Sequence, residues 1–489
     1  MNNFLNKLKQ ATNFGYTENG AIKRNSTLNK VLDMFAMGGA CRSRSEEDII
    51  VMFDNAFKED EVLALKCLFY LRDVRGGQGE RRFFRVILKH LANTNPEAVK
   101  RNLEHIAEFG RWDDYYTLVD TPVEKEVWEL LKVQLALDVQ SKTPSLLAKW
   151  LKSENASSTE TRYLGHKTRE VFGMTARQYR KTLSVLRERI NVLERLMSAN
   201  RWEEIEFDAI PSKAGLVYRN AFARRDIIKA KYEAFAKNKD TKVNADVLNP
   251  VDIAHECFHK WNMSVTERAM LDKYWTNLKD YYAGREEKGV CVVDVSGSMS
   301  GIPMEAAVSL GAYIDERGAD PFKNHFITFS QNPELVEFIG IDVYDKFMRA
   351  KDANWGANTD LKAVFNLLLR TAINERVTPD NMPERIYIFS DMEFDRAFSK
   401  NFYRPDFDDN KLQTLMEDVK DEWKAHGYKL PSIVFWNLRS AHDNIPAIGE
   451  GFSYVSGYNP VMIDTILSGK DSIDLMLEKL NSDRYSCIK

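Results

Sequence analysis

A carboxylate and two hydroxyls lie at the end of a short apolar segment of this 489-residue chain and just after it. The segment VCVVDVS (290–296) is rich in β-branched residues, which favours a buried strand. Asp294, Ser296 and Ser298 stand at alternate positions, so one loop presents three oxygen-bearing side chains. Hard oxygen ligands of this kind suit Mg²⁺, with Mn²⁺ as an alternative and Ca²⁺ less well suited. The pattern therefore predicts part of a divalent-metal site.

Two later segments supply further oxygen ligands. The apolar segment RIYIFSD (385–391) ends in a second carboxylate, and the loop WGANTDL places Thr359 and Asp360 just before a predicted helix. The predicted metal ligands are Asp294, Ser296, Ser298, Thr359 and Asp391. Hydrolysis at such an ion would need a general base beside it. Glu393 and Asp395 lie near in sequence, but the favoured interpretation of both is that they are solvated loop acids.

Such a site needs a sheet that brings the ends of separate strands together. Short apolar runs suit strands at 290–296, 324–330, 385–391 and 432–439. Helical patterns fit between them at 304–316, 361–374 and 408–425. This alternation predicts a parallel sheet covered on both faces. Ligands bind such sheets beyond the carboxyl ends of the strands, which is where the predicted metal ligands lie.

A rival metal motif lies upstream of this region. His255-Glu256-Cys257-Phe258-His259 matches H-E-x-x-H, which on a helix places both histidines on one face for Zn²⁺, with the glutamate as general base. Against zinc, Lys260 follows directly, and no third ligand is assigned. Downstream candidates for that ligand are Asp272, Glu286 and Glu287. The favoured interpretation is that the histidines pack or cap, with a zinc peptidase kept as an alternative.

The region from about 46 to 281 is helical in pattern almost throughout. Helical spacing of apolar residues fits 61–71, 83–91, 96–109, 111–118, 122–138, 143–152, 175–198, 213–238 and 264–281. Strand-like alternation is scarce there, and no strict sequence period is found. We therefore predict paired antiparallel helices stacked as an irregular solenoid.

Basic residues cluster in this helical region. A glycine-rich turn, Arg75 to Arg81, would let backbone amides approach a phosphate, although a simple connection between helices explains it as well. Further cations run from Arg162 to Arg189, with tyrosines interleaved that could stack on unpaired bases. The predicted RNA-binding residues are Arg72, Arg75, Arg81, Arg82, Arg162, Lys167, Arg169, Arg177, Arg180, Lys181, Arg224 and Arg225. The alternative is a set of solvated helix faces.

Composition is that of a globular multidomain chain. Residues 1–285 hold 47 Lys and Arg against 39 Asp and Glu, and the remainder holds 22 against 33, so a basic half precedes an acidic half. Uneven charge of this kind suggests different partners, or simple chance. The five cysteines are scattered, and no apolar stretch has the length of a membrane span. With no secretory signal at the N-terminus, we expect a cytoplasmic protein without membrane partners.

The metal-site residues resemble those of the von Willebrand factor A (vWA) family. The resemblance covers about 290–470, includes the late segment FSYVSGYNP, and matches all five positions of the family's metal-ion-dependent adhesion site. It implies a doubly wound, Rossmann-like α/β domain with one bound Mg²⁺ or Mn²⁺. In that family the ion keeps an open position for a carboxylate of a partner. A vWA-like sheet with an empty site is the alternative.

The layout of helices followed by this domain is similar to that of the Ro family, whose TROVE module is a ring of helical repeats. The segments FYLRDVRGGQGERRF, GRWDDYY and MTARQYRKTLSVLRERINVLE resemble a divergent TROVE-like branch. The resemblance implies a HEAT-like, ring-shaped module that binds single-stranded RNA ends and structured noncoding or misfolded RNA, without enzymatic activity.

The expected organisation is multidomain. It comprises a polar leader at 1–45, mobile or loosely docked, a TROVE-like all-α repeat module at 46–284, a vWA domain at 285–475 and a tail at 476–489. The expected function is non-enzymatic RNA binding with a Mg²⁺-dependent site for partner recognition. The alternatives are an adaptor that binds proteins through the metal site and a zinc metallopeptidase that uses His255 and His259. The oligomeric state and the identity of the RNA stay open.

Overall fold

The computed structural model describes residues 9, 12–190, 192–319, 321–329, 332–351, 360–394 and 415–489. The first half contains strands β1 (Phe14–Tyr16) and β2 (Ile22–Arg24) and helices α1 (Lys30–Met37), α2 (Glu46–Glu59), α3 (Glu61–Arg72), α4 (Arg81–Thr94), α5 (Pro96–Arg101), α6 (Ile106–Phe109), α7 (Glu124–Gln140), α8 (Leu147–Trp150), α9 (Thr159–Val171), α10 (Ala176–Arg189), α11 (Leu193–Ser198), α12 (Ser212–Arg224), α13 (Asp226–Lys237), α14 (Pro250–His259) and α15 (Val265–Thr276).

The second half alternates strands with helices. It contains β3 (Gly289–Val293), α16 (Ile302–Arg317), β4 (His325–Thr328), β5 (Leu335–Glu337), α17 (Val343–Lys351), α18 (Leu361–Asn374), β6 (Arg385–Ser390), α19 (Leu415–Ala425), β7 (Ser432–Asn437), β8 (Phe452–Ser456), α20 (Ile463–Ile466) and α21 (Ser472–Leu480). Short 3₁₀ helices lie at Gly38–Ser43, Leu103–His105, Trp112–Leu118, Trp202–Glu204, Gly297–Met299, Pro379–Asn381, Pro460–Met462 and Asp483–Tyr485.

The chain divides into two compact units that differ from the expected boundaries. The α/β unit comprises Met1–Cys67 and Leu248–Ser482, and the helical unit comprises Leu68–Val247 and Asp483–Lys489. Helices α14 and α15 therefore belong with the sheet, although their sequence pattern resembles that of the preceding helices. The mostly helical N-terminal region and the C-terminal α/β region agree with the predicted fold class, whereas the ring-shaped HEAT-like arrangement stays a prediction.

The α/β unit is built on a six-stranded sheet of order β5-β4-β3-β6-β7-β8. All neighbouring strands pair in parallel except β5, which runs antiparallel to β4 at the edge. Every residue of β3 and β6 is buried, as the short apolar runs predicted. Strand order reverses between β3 and β6, so the loops that follow these two strands flank the switch point where open α/β sheets bind ligands.

The N-terminal segment packs firmly within the same unit. Residues 31–37 of α1 are all buried, and the Gly39 N–H donates to Ser456 Oγ on β8 at 2.9 Å. A Cβ at Gly39 would lie 2.7 Å from the carbonyl oxygen of Ser456, which explains why glycine stands at this close approach. The described part of the predicted loosely docked leader is therefore structural, because an apolar helix in it completes the core beside β8.

Two predicted helices of the helical unit are interrupted. The predicted helix 213–238 becomes α12 and α13 because Arg225 adopts an extended backbone conformation, φ −89° and ψ 110°. The predicted helix 175–198 becomes α10 and α11, with Val192 extended between them. Local pattern predicts the start of α10 well, since Thr175 and Gln178 form a reciprocal capping box there. Among the helices of the described ranges, none is both long and apolar enough to cross a membrane.

Buried charges organise the first part of the helical unit. The Asp114 carboxylate is fully buried and accepts hydrogen bonds from Arg72 Nε at 2.8 Å, Arg85 Nε at 2.6 Å and the Arg111 N–H at 3.0 Å. Arg72 itself is 1% exposed. The inclusion of Arg72 among the RNA-binding residues is therefore corrected, because its guanidinium is enclosed with Asp114 and cannot reach a ligand in solvent.

We expect Asp114→Ala to destabilise the helical unit strongly. Removing one partner of a buried ion pair leaves an uncompensated charge and costs about 3–5 kcal/mol. Hydrogen exchange of the amides in Leu68–Arg72 and in α4 should report this loss of stability. Glu188→Ala, which removes an exposed partner of Arg195, is the control and should leave the exchange unchanged. Equal exchange in the two variants would contradict the structural role of Asp114.

Candidate metal centre

Two strand ends bring the predicted metal ligands together. Asp294 follows β3 directly, and its N–H still donates to the Phe389 carbonyl at 2.9 Å. The Ser390 hydroxyl, at the end of β6, donates to Asp294 Oδ2 at 2.6 Å. Asp391 is the next residue, so both carboxylates lie at the carboxyl edge of neighbouring parallel strands. The sheet register therefore places Asp294 opposite Ser390, and the loop that begins with Asp391 starts at the same edge.

The loop after β3 adds the two hydroxyls. The Ser296 N–H donates to Asp294 Oδ1 at 2.9 Å, and Ser296 Oγ lies 3.1 Å from Ser298 Oγ. Ser298 in turn hydrogen bonds the side chain of Asp391. Four predicted ligands thus form one connected cluster. Thr359 lies outside the described residues, while the neighbouring Asp360 caps α18 by accepting from the Ala363 N–H at 3.0 Å.

Burial makes this cluster electrostatically costly without a cation. Asp294 is 0% exposed and Asp391 is 2% exposed. Desolvation, and then the charge of Asp391, raise the pKa of Asp294 above its ordinary value. Desolvation also raises the pKa of Asp391, which the guanidinium of Arg439 partly offsets. Two buried carboxylates with adjacent hydroxyls form an all-oxygen donor set that fits Mg²⁺ or Mn²⁺.

Glu393 is buried rather than solvated, in contrast to the favoured interpretation of its sequence. It is 3% exposed, and its carboxylate accepts from His442 Nδ1 at 2.7 Å and from the Glu18 N–H at 2.9 Å. The Thr17 hydroxyl donates to the Phe394 carbonyl at 2.7 Å. The loop after β6 therefore holds the N-terminal segment, and Glu393 has a structural role there. Asp395 lies outside the described residues.

Apart from Arg72, the predicted RNA-binding residues of the helical unit fall into three groups. Lys167 pairs with Glu124 at 2.6 Å and Arg169 with Glu154 at 2.7 Å, so neighbouring carboxylates already neutralise both. Arg82 is half-buried. The exposed members are Arg75, Arg81, Arg162, Arg177, Arg180, Lys181, Arg224 and Arg225.

The glycine-rich turn contacts another part of the helical unit. Asp73, which precedes it, accepts from Arg484 and, at 2.9 Å, from the Tyr485 hydroxyl. The Tyr485 hydroxyl also lies 3.2 Å from the Gly76 carbonyl. The turn connects α3 and α4, as the alternative interpretation of its sequence had it, and these contacts pack it within the unit, whereas phosphate binding by its amides stays a prediction.

The H-E-x-x-H motif lies on α14, as its pattern predicted. None of the three downstream acids contacts its histidines. Asp272 accepts from the Val343 N–H, Glu287 is buried with Arg385 and Tyr387, and Glu286 is exposed. The residue that joins the two histidines is Glu305, in the first turn of α16. Sequence spacing gave no signal for it, because 46 residues separate it from His259.

The comparisons with known proteins match one family on each side of residues 282–287. The family described as Domain of unknown function (DUF2828) matches residues 17–162 and 133–281, and the one described as Domain of unknown function (DUF7788) matches residues 288–486. The "Uncharacterized protein L728" of Acanthamoeba polyphaga mimivirus is 29% identical over 504 residues, which span 94% of this chain and 85% of that protein. These matches identify neither the Ro/TROVE family nor the vWA family.

We expect the metal-free α/β unit to lose stability as pH rises above the ordinary carboxyl pKa of about 4. The raised pKa of Asp294 means that the folded chain binds protons more tightly than the unfolded chain, so ionisation favours unfolding. Calorimetry in EDTA at about pH 5 and about pH 8 measures the difference. Asp294→Asn should reduce the difference in stability between the two pH values. Asp474→Asn, at an exposed helix position, should leave that difference unchanged. Identical pH profiles for all three proteins would refute the buried-charge account.

Proposed function

We propose a non-enzymatic binding function for this chain, which belongs to the family described as Domain of unknown function (DUF2828). In this proposal the α/β unit is a vWA-like domain that holds one Mg²⁺ ion and recognises an acidic group of a partner. The helical unit is a TROVE-like module that binds RNA. The proposal for the α/β unit rests on a cluster of oxygen-bearing side chains. The proposal for the helical unit rests on exposed basic residues.

The convergence of four oxygen-bearing side chains at the switch point carries the proposal for the α/β unit. Asp294 and Asp391 supply carboxylates from neighbouring strand ends, and Ser296 and Ser298 supply hydroxyls from the loop between β3 and α16. Numbered within the sheet, the strand order is 3-2-1-4-5-6, the order of doubly wound α/β domains. An antiparallel strand at one edge is compatible with the vWA-like assignment.

A bound Mg²⁺ would supply an open coordination position for a carboxylate oxygen of a partner. The chain's own residues prepare that position. Ser390 orients Asp294, the Glu393 N–H orients Asp391 at 3.1 Å, and Arg439 holds the loop by donating to the Ser298 carbonyl. Among the described residues, Glu393 was the candidate for a general base, and it is engaged by His442 and by the N-terminal segment. Recognition therefore fits the site better than hydrolysis.

We expect Mg²⁺ to raise the thermal midpoint of the α/β unit. At about 100 times the dissociation constant, a ligand stabilises the folded state by about 2.7 kcal/mol. Asp391→Asn and Ser298→Ala should remove most of this shift. Ser300→Ala is the matched control, because that hydroxyl is exposed and binds the Gly297 carbonyl within the same loop.

Partner recognition is tested by capture on the immobilised full chain in Mg²⁺ followed by elution with EDTA. A partner retained by the wild type and by Ser300→Ala, but not by Asp391→Asn, supports recognition through the ion. The proposed metal site would be refuted if Mg²⁺ did not shift the thermal midpoint of the wild type. It would also be refuted if Mg²⁺ raised the midpoint of Asp391→Asn by as much as that of the wild type.

RNA binding is favoured by one exposed face of the helical unit. Arg177, Arg180 and Lys181 share a face of α10 and are all exposed, while the neighbouring Tyr179 is buried and anchors the helix by donating to the Lys152 carbonyl. A cleft of about 610 Å³ lies beside this face. Its lining includes the cations Lys149, Arg180, Arg187 and Arg195, with the carboxylates Glu154 and Glu194. Arg195 pairs with Glu188 and Arg187 donates to the Ala148 carbonyl, so the cations of this region that suit a phosphate backbone are Lys149 and the exposed residues of α10.

We expect single-stranded RNA to bind with strong dependence on salt. Replacing Arg177, Arg180 and Lys181 together by Gln should weaken binding and lower the slope of log affinity against log salt by about 2, since each phosphate contact contributes about 0.7. Nitrocellulose filter binding over a series of salt concentrations measures both quantities.

A charge-matched control distinguishes a site from general attraction. Lys125, Lys239 and Lys242 are exposed in the same unit, and their joint replacement by Gln removes the same net charge. This control should keep the wild-type salt slope. Equal effects of the two triple variants, or no RNA binding at low salt, would contradict a binding face on α10.

A further inference from the structure

A second group of metal-binding side chains lies elsewhere in the α/β unit. His255 and His259 stand one turn apart on α14, with ring centroids 4.4 Å apart. Glu305, in the first turn of α16, reaches both of them. His255 Nδ1 lies 2.7 Å from Glu305 Oε2, and His259 Nε2 lies 2.7 Å from Glu305 Oε1. Three ligand atoms of the three residues lie within 4.8 Å of one another.

Burial of the carboxylate makes this more than a surface contact. The Glu305 side chain is 8% exposed, whereas His255 and His259 are 47% and 61% exposed. A carboxylate at this depth needs positive charge or donated hydrogens to offset its desolvation. Without a cation, each imidazole nitrogen that faces it must carry a hydrogen, because an ionised carboxylate only accepts. One divalent ion in place of those hydrogens would offset the desolvation of the same carboxylate.

We propose that His255, His259 and Glu305 bind one Zn²⁺ ion, with solvent completing its coordination. Two imidazoles and one carboxylate form a donor set that zinc accepts, in contrast to the all-oxygen set around Asp294. Zinc bonds of about 2.0–2.2 Å place tetrahedral ligands about 3.3 Å apart, so the 2.7 Å separations need to lengthen by only about 0.6 Å. About half of each histidine side chain is exposed, so solvent rather than packed protein surrounds much of each ring.

The assignment of Glu305 changes the chemistry that the motif predicted. In the peptidase interpretation Glu256 is the general base and the third ligand is unknown. Here the third ligand comes from α16, which begins just after the loop that carries Ser296 and Ser298. Zinc would thus tie α14 to the first turn of α16 and fix the start of that helix. Lys260 does not oppose the ion, since its ammonium pairs with Glu267. The inference therefore concerns a structural ion and requires no hydrolysis.

Calorimetric titration of the full chain with Zn²⁺, after removal of metals by a chelator and in excess Mg²⁺, tests this site. We expect one Zn²⁺ per chain. Glu305→Gln should weaken binding by about 100-fold or more, since losing even an outer contact of a metal site costs about 10–100-fold. This variant should fold, because its amide oxygen still accepts from an imidazole. A Co²⁺ titration adds a second readout, an absorption band of a nitrogen- and oxygen-ligated ion that His259→Ala abolishes.

Three controls separate this site from others. Glu256→Gln lies on the same helix turn and should keep wild-type affinity, and so should His426→Ala, which removes an exposed histidine elsewhere in the unit. Asp294→Ala should remove the Mg²⁺ effect while leaving the Zn²⁺ titration unchanged, so either site can fail without the other. The absence of stoichiometric Zn²⁺ binding, or its survival in Glu305→Gln and His259→Ala, would overturn the inference.

Discussion

Two carboxylates at the ends of neighbouring strands set the main constraint on the α/β unit. Asp294 and Asp391 are buried because β3 and β6 pair in parallel, and parallel pairing brings their carboxyl ends to one edge. Desolvation and the like charges oppose folding there, and hydrogen bonds from neighbouring groups and the charge of Arg439 relieve this only in part. Neighbouring groups are arranged around this need, since Ser390, Ser296 and Ser298 all point polar atoms at the pair. Burial of this pair costs stability, and the divalent ion proposed above would offset that cost.

The sheet and this cluster were accessible to sequence reasoning because their signals are local. Each central strand is a short apolar run, and the ligands follow directly from the strand ends. Edge strand β5 was missed because its three residues are partly exposed and show no apolar run. Glu305 and His442 were missed for another reason. Their partners lie 46 to 50 residues away in sequence, so only the packing of α14 on α16, and of the loops after β6 and β7, reveals them.

The helical unit shows that a count of basic residues does not reveal which of them are available for binding. Arg72, Lys167 and Arg177 look alike in a count of basic residues, yet the first is enclosed with Asp114, the second pairs with Glu124 and the third is exposed. A cation remains available only where no carboxylate from another helix or loop pairs with it. The sequence therefore predicts the sign of a region better than it predicts a binding face. On α10 itself, the predicted cations Arg177, Arg180 and Lys181 are all exposed.

The α/β unit is assembled from two stretches of chain separated by residues Leu68–Val247 of the helical unit. Helix α1 covers β8 from the first stretch, with the Gly39 backbone against Ser456. During synthesis, α1 therefore emerges long before β8, the strand that it will cover. Its apolar surface stays without this partner while the intervening helices are synthesised. Domains generally fold as units in order of synthesis, but here the first-made segment completes the last-made sheet. A truncated protein that begins at β3 would lack this cover and would be prone to aggregate.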